Sequence, residues 1–416
     1  MKKKILMLSD HALSTSGVGC QSRFLIEGLL EKGDWSIRQF GAAMKHEDYE
    51  TVFVNEDYII KPIDGFGDRN LLISAIVSEK PDVILIFTDP RFFTWLWEIA
   101  DEVRKVCPIA YWHVWDNYPY PDFNTPYYED TDLINCHSYL TYEMVSEKFP
   151  EKTNFIPHAL PKNLFYELPE EEKKFCKISS IGKEREDDFV LFWINRNARR
   201  KRPADLLKAW SNFINIQKNN FKKRVPATLI LHTDPRDQEG PNLYSVAEQL
   251  GIDDSVVFST QRIGFDKINS LHNISDACIN ISYAEGFGLS TLESMQCGNP
   301  IIAIKTGGLT RQVVDHRDQT ENGIALDVDL KSLVGSQSVP YIYEDYASIE
   351  NITSAINKMF ELPVDERKKL GKKAKKYVES EFSYQKTIDL WDKTLKDLIV
   401  NFREGEAKHW KMEKLG

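Results

Sequence analysis

No stretch of the sequence strings together the roughly 20 apolar residues needed to span a bilayer, so no membrane-crossing helix is expected. Paired cysteine spacing is missing too. The six cysteines (Cys20, Cys107, Cys136, Cys176, Cys278, Cys297) are scattered, which sets aside a zinc ribbon, a haem attachment or a redox disulfide and leaves reduced thiols. Positive charge is in short supply: 53 Lys and Arg against 63 Asp and Glu give a formal net charge of -10. General affinity for nucleic acid needs a basic face, so only a local basic site remains open. Repeats and low-complexity segments are lacking as well. Three lysines precede a short apolar run, Ile5–Leu8, which suits a first β-strand better than a signal peptide, and the expected location is cytoplasmic.

What is present is length and alternation. At 416 residues the chain exceeds the roughly 250–300 residues at which a single core stops growing, so two domains are expected. Short β-branched runs alternate with amphipathic stretches: Ile5–Ser9, Gln21–Lys32, Val83–Thr88 and Ile109–Trp115. The pattern restarts at Phe189–Asn195 and continues through Ala227–Thr233, Val256–Ser259, Ala277–Ser282 and Ile301–Lys305. Such alternation predicts parallel strands joined by helices. The fold class expected is α/β, with two Rossmann-like parallel-sheet domains facing across a cleft. The first is placed at 1–170, a Glu- and Lys-rich linker at 171–187, and the second at 188–382. A terminal helix at 383–416, with Ser383 as its N-cap, is expected to cross back to the first domain.

The segment richest in chemistry runs from Ser282 to Pro300 and parses as strand end, glycine loop, short helix, glycine stop and next strand. Gly286 and Gly288 let backbone approach a ligand without a Cβ in the way, and free N–H groups at the helix start near Ser290 favour an anionic oxygen. Glu285 in the loop and Glu293 in the helix can both accept hydrogen bonds from sugar or ribose hydroxyls. Ser290-Thr291-Leu292-Glu293 also spells a capping box, in which Glu293 serves only the helix's own amide. Glu285 has no such alternative duty.

A second segment, Asn195-Arg196-Asn197-Ala198-Arg199-Arg200-Lys201-Arg202-Pro203, follows the first strand of the second half. Such a cluster repels itself unless it meets solvent or an anion, and a diphosphate is a suitable counter-charge. Near the N-terminus, Ser14-Thr15-Ser16-Gly17-Val18-Gly19 follows the opening strand. It either cradles phosphate or forms a plain tight turn, and it lacks the third glycine of a dinucleotide fingerprint.

This order of motifs resembles the retaining glycosyltransferases of family 4, also called group 1, which have the GT-B fold. The resemblance runs from the N-terminal glycine loop through a strand-end histidine, the basic motif, the Glu-(seven residues)-Glu motif and Gly307-Gly308 to the terminal helix. It implies that Arg196 and Lys201 neutralise a donor diphosphate, with Gly17 or its neighbour Gly19 near the same group. Glu285 and the backbone of Gly286, Phe287 and Gly288 would contact the transferred sugar. Leu289 and Ser290 would offer amides to phosphate, Glu293 would hold the ribose, and His113 would lie near sugar and acceptor. A core histidine is the competing reading of His113. The sequence departs from the family where Asn195 and Arg202 replace glycines and where Thr310-Arg311-Gln312 replaces Pro-Glu.

The implied activity is transfer of a hexose-type sugar from a UDP- or GDP-linked donor, without cofactor or metal, to an acceptor that is a glycan, lipid, protein or modified nucleic-acid base. A nucleotide-sugar epimerase or hydrolase, or a non-catalytic nucleotide-sugar binder, are the alternatives. Asp327-Val328-Asp329 reads as a loop or helix cap rather than a metal site. The aromatics between Tyr111 and Tyr128 form either a stacking wall or core. The basic run Arg367–Lys376 forms either a solvated helix face or a peripheral membrane contact.

Overall fold

Parallel strands are covered by helices on both faces, so they bury nearly every residue, and the opening strand shows this: from Ile5 to Asp10 all side chains are buried. The computed structural model describes residues 2–43 and 49–409, with side chains to residue 403. The end of the expected terminal segment, 410–416, lies outside the described residues. The chain divides into two compact units.

The first unit takes in the described residues up to Trp115, then Pro119–Ala159 and the helix that starts at Tyr384. Its strands are β1 (Lys3–Asp10), β2 (Trp35–Ala42), β3 (Val52–Asn55), β4 (Tyr58–Pro62), β5 (Val83–Phe87), β6 (Ile109–His113), β7 (Leu133–Cys136) and β8 (Thr153–Phe155). They pair in the order β3-β4-β2-β1-β5-β6-β7-β8, parallel except where β3 runs antiparallel to β4. The helix Tyr384–His409 belongs to this unit. Its Ile388, Trp391, Leu395 and Ile399 share one apolar cluster with Ile5 and Met7, while Asp392 accepts from the Trp35 indole at 2.7 Å. Tyr111, Trp112, Trp115 and Tyr128 are buried while Tyr118 is exposed, so only half of the aromatic stretch is core.

The second unit holds Asp116–Tyr118 and Leu160–Ser383. Its sheet comprises β9 (Phe189–Ile194), β10 (Ala227–His232), β11 (Val256–Ser259), β12 (Ala277–Asn280), β13 (Ile301–Ile304) and β14 (Gly323–Leu326). They lie in the order β11-β10-β9-β12-β13-β14, parallel throughout. Counted within the unit this is the doubly wound order 3-2-1-4-5-6, whose direction of winding reverses between β9 and β12. Ligands of such sheets sit at that reversal, outside the carboxyl ends of the strands. A hairpin, β15 (Leu330–Val334) with β16 (Ile342–Tyr346), follows the sheet.

The structure corrects the expected linker. Residues 171–187 are not a free linker: the helix Glu170–Ile181 occupies most of them, and Ile181 packs with Val190 and Phe192 in the core of the second unit. Asp329 accepts from the Ser348 amide at 2.7 Å and from the Asn351 side chain, next to the start of the helix Ile349–Glu361, whose N-cap is Ser348. Within the helix Val364–Glu381, Arg367 pairs with Asp276, Lys368 with Glu170 and Lys375 with Glu167. Those lysines serve the protein's own carboxylates. Among the described residues, no helix is long and apolar enough to cross a membrane, and none of the six cysteines forms a disulfide.

Candidate active site

Two loops leave the sheet at the winding reversal. From β9 the chain passes through Asn195 into a single turn, Arg199–Lys201. Arg202 then adopts φ +57°, a left-handed conformation costly for a residue with a Cβ, before Pro203 opens the helix Pro203–Gln217. Contacts repay that strain: the Arg202 guanidinium donates to the Ala347 carbonyl at 2.9 Å and lies over the rings of Tyr283 and Tyr346. These contacts hold an arginine in a backbone conformation that glycine adopts more readily.

From β12 the chain runs through Asn280 and Ser282 to Glu285, turns at Gly288 with φ +93°, and enters the helix Leu289–Gln296. Gly288 itself is the N-cap, and no side chain caps this end. The capping box read from Ser290 to Glu293 is therefore not formed, because Gly288 and not Ser290 is the N-cap. Glu293 stands a full turn into the helix, free of capping duty. The first helical amides, at Leu289, Ser290 and Thr291, have no acceptor within the helix, and they carry its positive end.

The two loops meet through charge. The Lys201 ammonium pairs with the Glu285 carboxylate, with side chains only 11% and 12% exposed. Arg200 donates to the Ala284 carbonyl at 2.6 Å and stands 3.4 Å from Asp116 and 3.9 Å from Glu285. Asn280 adds a 3.4 Å contact to the same carboxylate. Burial alone would push the Glu285 pKa up, but Lys201 and then Arg200 outweigh it and draw it down to about 2. Burial lowers the Lys201 pKa, with Glu285 opposing and Arg200 adding repulsion.

Gln312 braces the glycine turn. Fully buried, it donates to the Phe287 and Gly288 carbonyls at 2.7 and 3.0 Å and accepts from Thr291 at 2.6 Å. Gly307 and Gly308 are pressed against the same turn: an added Cβ would lie 2.0 Å from the Glu285 carbonyl oxygen and 2.5 Å from that of Gly286, respectively. The sequence pointed to Gly307-Gly308 and to the departure at Gln312, but not to what either does.

Of the remaining expected residues, Arg196 is placed apart. Its guanidinium is 62% exposed and bonds Asp237 at 2.7 and 3.1 Å. Phe287 is a core residue packed edge-on to Phe382, so only its backbone faces the loop. In the first unit, Gly17 opens the helix Gly17–Glu31 behind the Ser16 cap. Gly19 has a packing reason, since a Cβ there would lie 2.6 Å from the His11 carbonyl oxygen.

His113 ends β6 fully buried, with Nε2 bonded to the Tyr128 hydroxyl. Burial, aided by repulsion from His137, pushes its pKa down to about 3, and burial moves His158 well below its ordinary value too. The ring is thus held inside the first unit, against Tyr128. The consequence is acid sensitivity. Between the ordinary 6.5 and about 3 the unfolded chain binds the proton that the folded chain refuses at His113, so stability falls as pH falls through that window, by about 1.4 kcal/mol per pH unit. Urea titrations at pH 7.5 and 5.5 should show the loss, and His113→Gln should reduce it.

The family model for glycosyl transferases group 1 matches residues 175–377. Over 134 residues the chain is 31% identical to D-inositol 3-phosphate glycosyltransferase 2 of Catenulispora acidiphila, a stretch covering 32% of this chain and 31% of that one. It is 23% identical over 221 residues to N-acetyl-alpha-D-glucosaminyl L-malate synthase of Bacillus anthracis, covering 53% and 49%. The match thus spans about a third of the length of the first curated relatives. Sucrose-phosphate synthase from Thermosynechococcus elongatus superimposes with a TM-score of 0.71 at 15% identity, covering 96% of this chain and 100% of that one. Anabaena HepE in complex with UDP and glucose gives 0.68 at 16% identity, covering 95% and 100%. The chain has the GT-B fold, and its residues 175–377 match the group 1 glycosyltransferase family.

Proposed function

We propose that the protein is a retaining glycosyltransferase that moves a hexose-type sugar from a nucleoside-diphosphate sugar, UDP- or GDP-linked, to an acceptor hydroxyl. One observation carries the reading: the buried Lys201–Glu285 pair lies at the reversal of the second sheet, where the uncapped helix start at Leu289 also points its amides. A cation and free amides suit the diphosphate, and a carboxylate beside them suits the hydroxyls of the sugar it carries.

As the glycosidic bond breaks, charge builds on the leaving diphosphate. Fixed donors aimed there stabilise the transition state more than the ground state. Lys201, the amides of Leu289 and Ser290, and Arg196 supply them. Arg196 must first exchange Asp237 for phosphate, a small cost because an ion pair exposed to this degree is worth at most about 1 kcal/mol. Glu285 holds a hydroxyl of the transferred sugar, Glu293 holds the ribose, and a donor phosphate oxygen takes the acceptor proton on the same face, which retains the anomeric configuration. Side chains supply the positive charge, so the reading calls on no metal.

Beside these loops, at the ends of β10 and β11, a cavity of about 410 Å³ is lined by Asp234, Pro235, Arg236, Tyr244 and Thr260. It supports the reading by offering a place for the base, with the Arg236 guanidinium over the Tyr244 ring at 5.5 Å.

The test is a panel of UDP-, GDP-, ADP- and CMP-sugars, read first by thermal shift and then by product mass with candidate acceptors. Arg196→Ala should weaken binding of the preferred nucleotide by about tenfold, the worth of one charge-assisted hydrogen bond. Unchanged affinity in both Arg196→Ala and Lys201→Ala would refute the diphosphate assignment.

A further inference from the structure

Glu293 has a partner that the sugar-transfer chemistry does not call for. His272, near the end of the helix Phe265–Asn273, has no exposed side-chain surface and sets Nε2 3.1 Å from Glu293 Oε2. Phe165 and Phe192 pack near-perpendicular to its ring, with centroids 5.8 and 5.0 Å away. Its backbone is tied as well, because the His272 carbonyl accepts from the Asn299 side chain. The imidazole therefore has little room to turn.

The hydrogen bond fixes the tautomer. A carboxylate only accepts, so Nε2 carries the proton, while Nδ1 is buried and meets no partner among the described residues. A glutamate side chain has three rotatable bonds, and one donor on a ring that cannot move removes most of that freedom. With the helix start making no use of Glu293 and its side chain 14% exposed, the second carboxylate oxygen is left for a ligand.

We propose that His272 is a positioning residue: it holds Glu293 by one oxygen so that the other is presented to the ribose hydroxyls of the nucleotide. This rests on the nucleotide-sugar reading above, and the experiment separates the two. Whichever of UDP, GDP and ADP binds best is compared with its 2′-deoxy counterpart by calorimetry. Wild type should prefer the ribonucleotide by about tenfold, one hydrogen bond to a charged group.

His272→Phe, which keeps a ring but loses the donor, should reduce that preference to less than about twofold. His272→Gln, whose amide nitrogen reaches close to the position of Nε2, should restore it. A full preference retained in His272→Phe overturns the inference and leaves the function standing. No binding of any of the three nucleotides to wild type overturns the function itself. Should His272→Phe fold poorly, nitrogen NMR of the wild-type imidazole decides: a proton on Nε2, with signals that move on adding nucleotide, supports the inference, and a proton on Nδ1 overturns it.

Discussion

Lys201→Ala should lower kcat/KM for the nucleotide-sugar donor by about 10²–10³-fold, the usual consequence of deleting one donor aimed at developing negative charge. It should also be unstable. Glu285 is 12% exposed and Lys201 is its ion-pair partner, and removing one member of a buried pair leaves an uncompensated charge at a cost of about 3–5 kcal/mol. The two effects separate in the double variant Lys201→Met with Glu285→Gln. Taking away both charges should restore much of the urea midpoint while turnover stays low. If recovered stability brought recovered turnover, Lys201 would be a structural cation and nothing more.

Glu285→Gln should give the opposite split. The amide keeps the shape, removes the negative charge next to the proposed diphosphate, and should leave nucleotide affinity unchanged or slightly tighter. Turnover should fall by about 10²-fold, because the ionised oxygen facing the sugar is lost. In wild type the carboxyl, drawn down to about 2, remains ionised across the neutral range, so the acid limb of the rate profile belongs to another group. The linkage has a definite sign. A depressed folded pKa contributes stability that is complete above the ordinary 4.5 and is lost as pH falls through about 2. Glu285→Gln should therefore lose less stability than wild type between pH 4.5 and pH 3, measured by urea titration.

The fold was legible wherever burial on both faces wrote an unbroken apolar run. Val83–Phe87 and Ile301–Ile304, every residue buried, were such runs, as expected of central parallel strands. Trp35–Ala42 was not, because it carries Ser36, Arg38 and Gln39, yet it is a central strand. Gln39 is tolerated there by its bonds to Ser9, the Asp10 carbonyl and the Tyr58 hydroxyl, pairings that no one-dimensional pattern reveals. The helix Glu170–Ile181 was mistaken for a linker for a related reason. Its Phe175 is 73% exposed, so the apolar residue marks the wrong face, and three glutamates in its first turn stabilise it through the helix dipole instead.

At the site, Glu285 was readable because an acid inside a glycine loop has no local task. The cation cluster was readable in kind but not in detail. Its arginines and lysine disperse to different partners: Arg196 to Asp237, Arg199 to Glu344, Arg200 and Lys201 to Glu285, Arg202 to the rings of Tyr283 and Tyr346. Spacing could not assign these directions, since the tight turn Arg199–Lys201 and the positive φ of Arg202 set them. His272 left no sequence signal at all. It lies in a helix 21 residues before the glutamate it touches.

The most direct measurement is a crystal structure of the wild-type protein soaked with UDP or GDP. The account predicts the diphosphate at the start of the helix Leu289–Gln296, within hydrogen-bonding distance of Lys201 and the Leu289 and Ser290 amides, with Arg196 released from Asp237. Nucleotide bound elsewhere, with the Lys201–Glu285 pair and that helix start untouched, would contradict it.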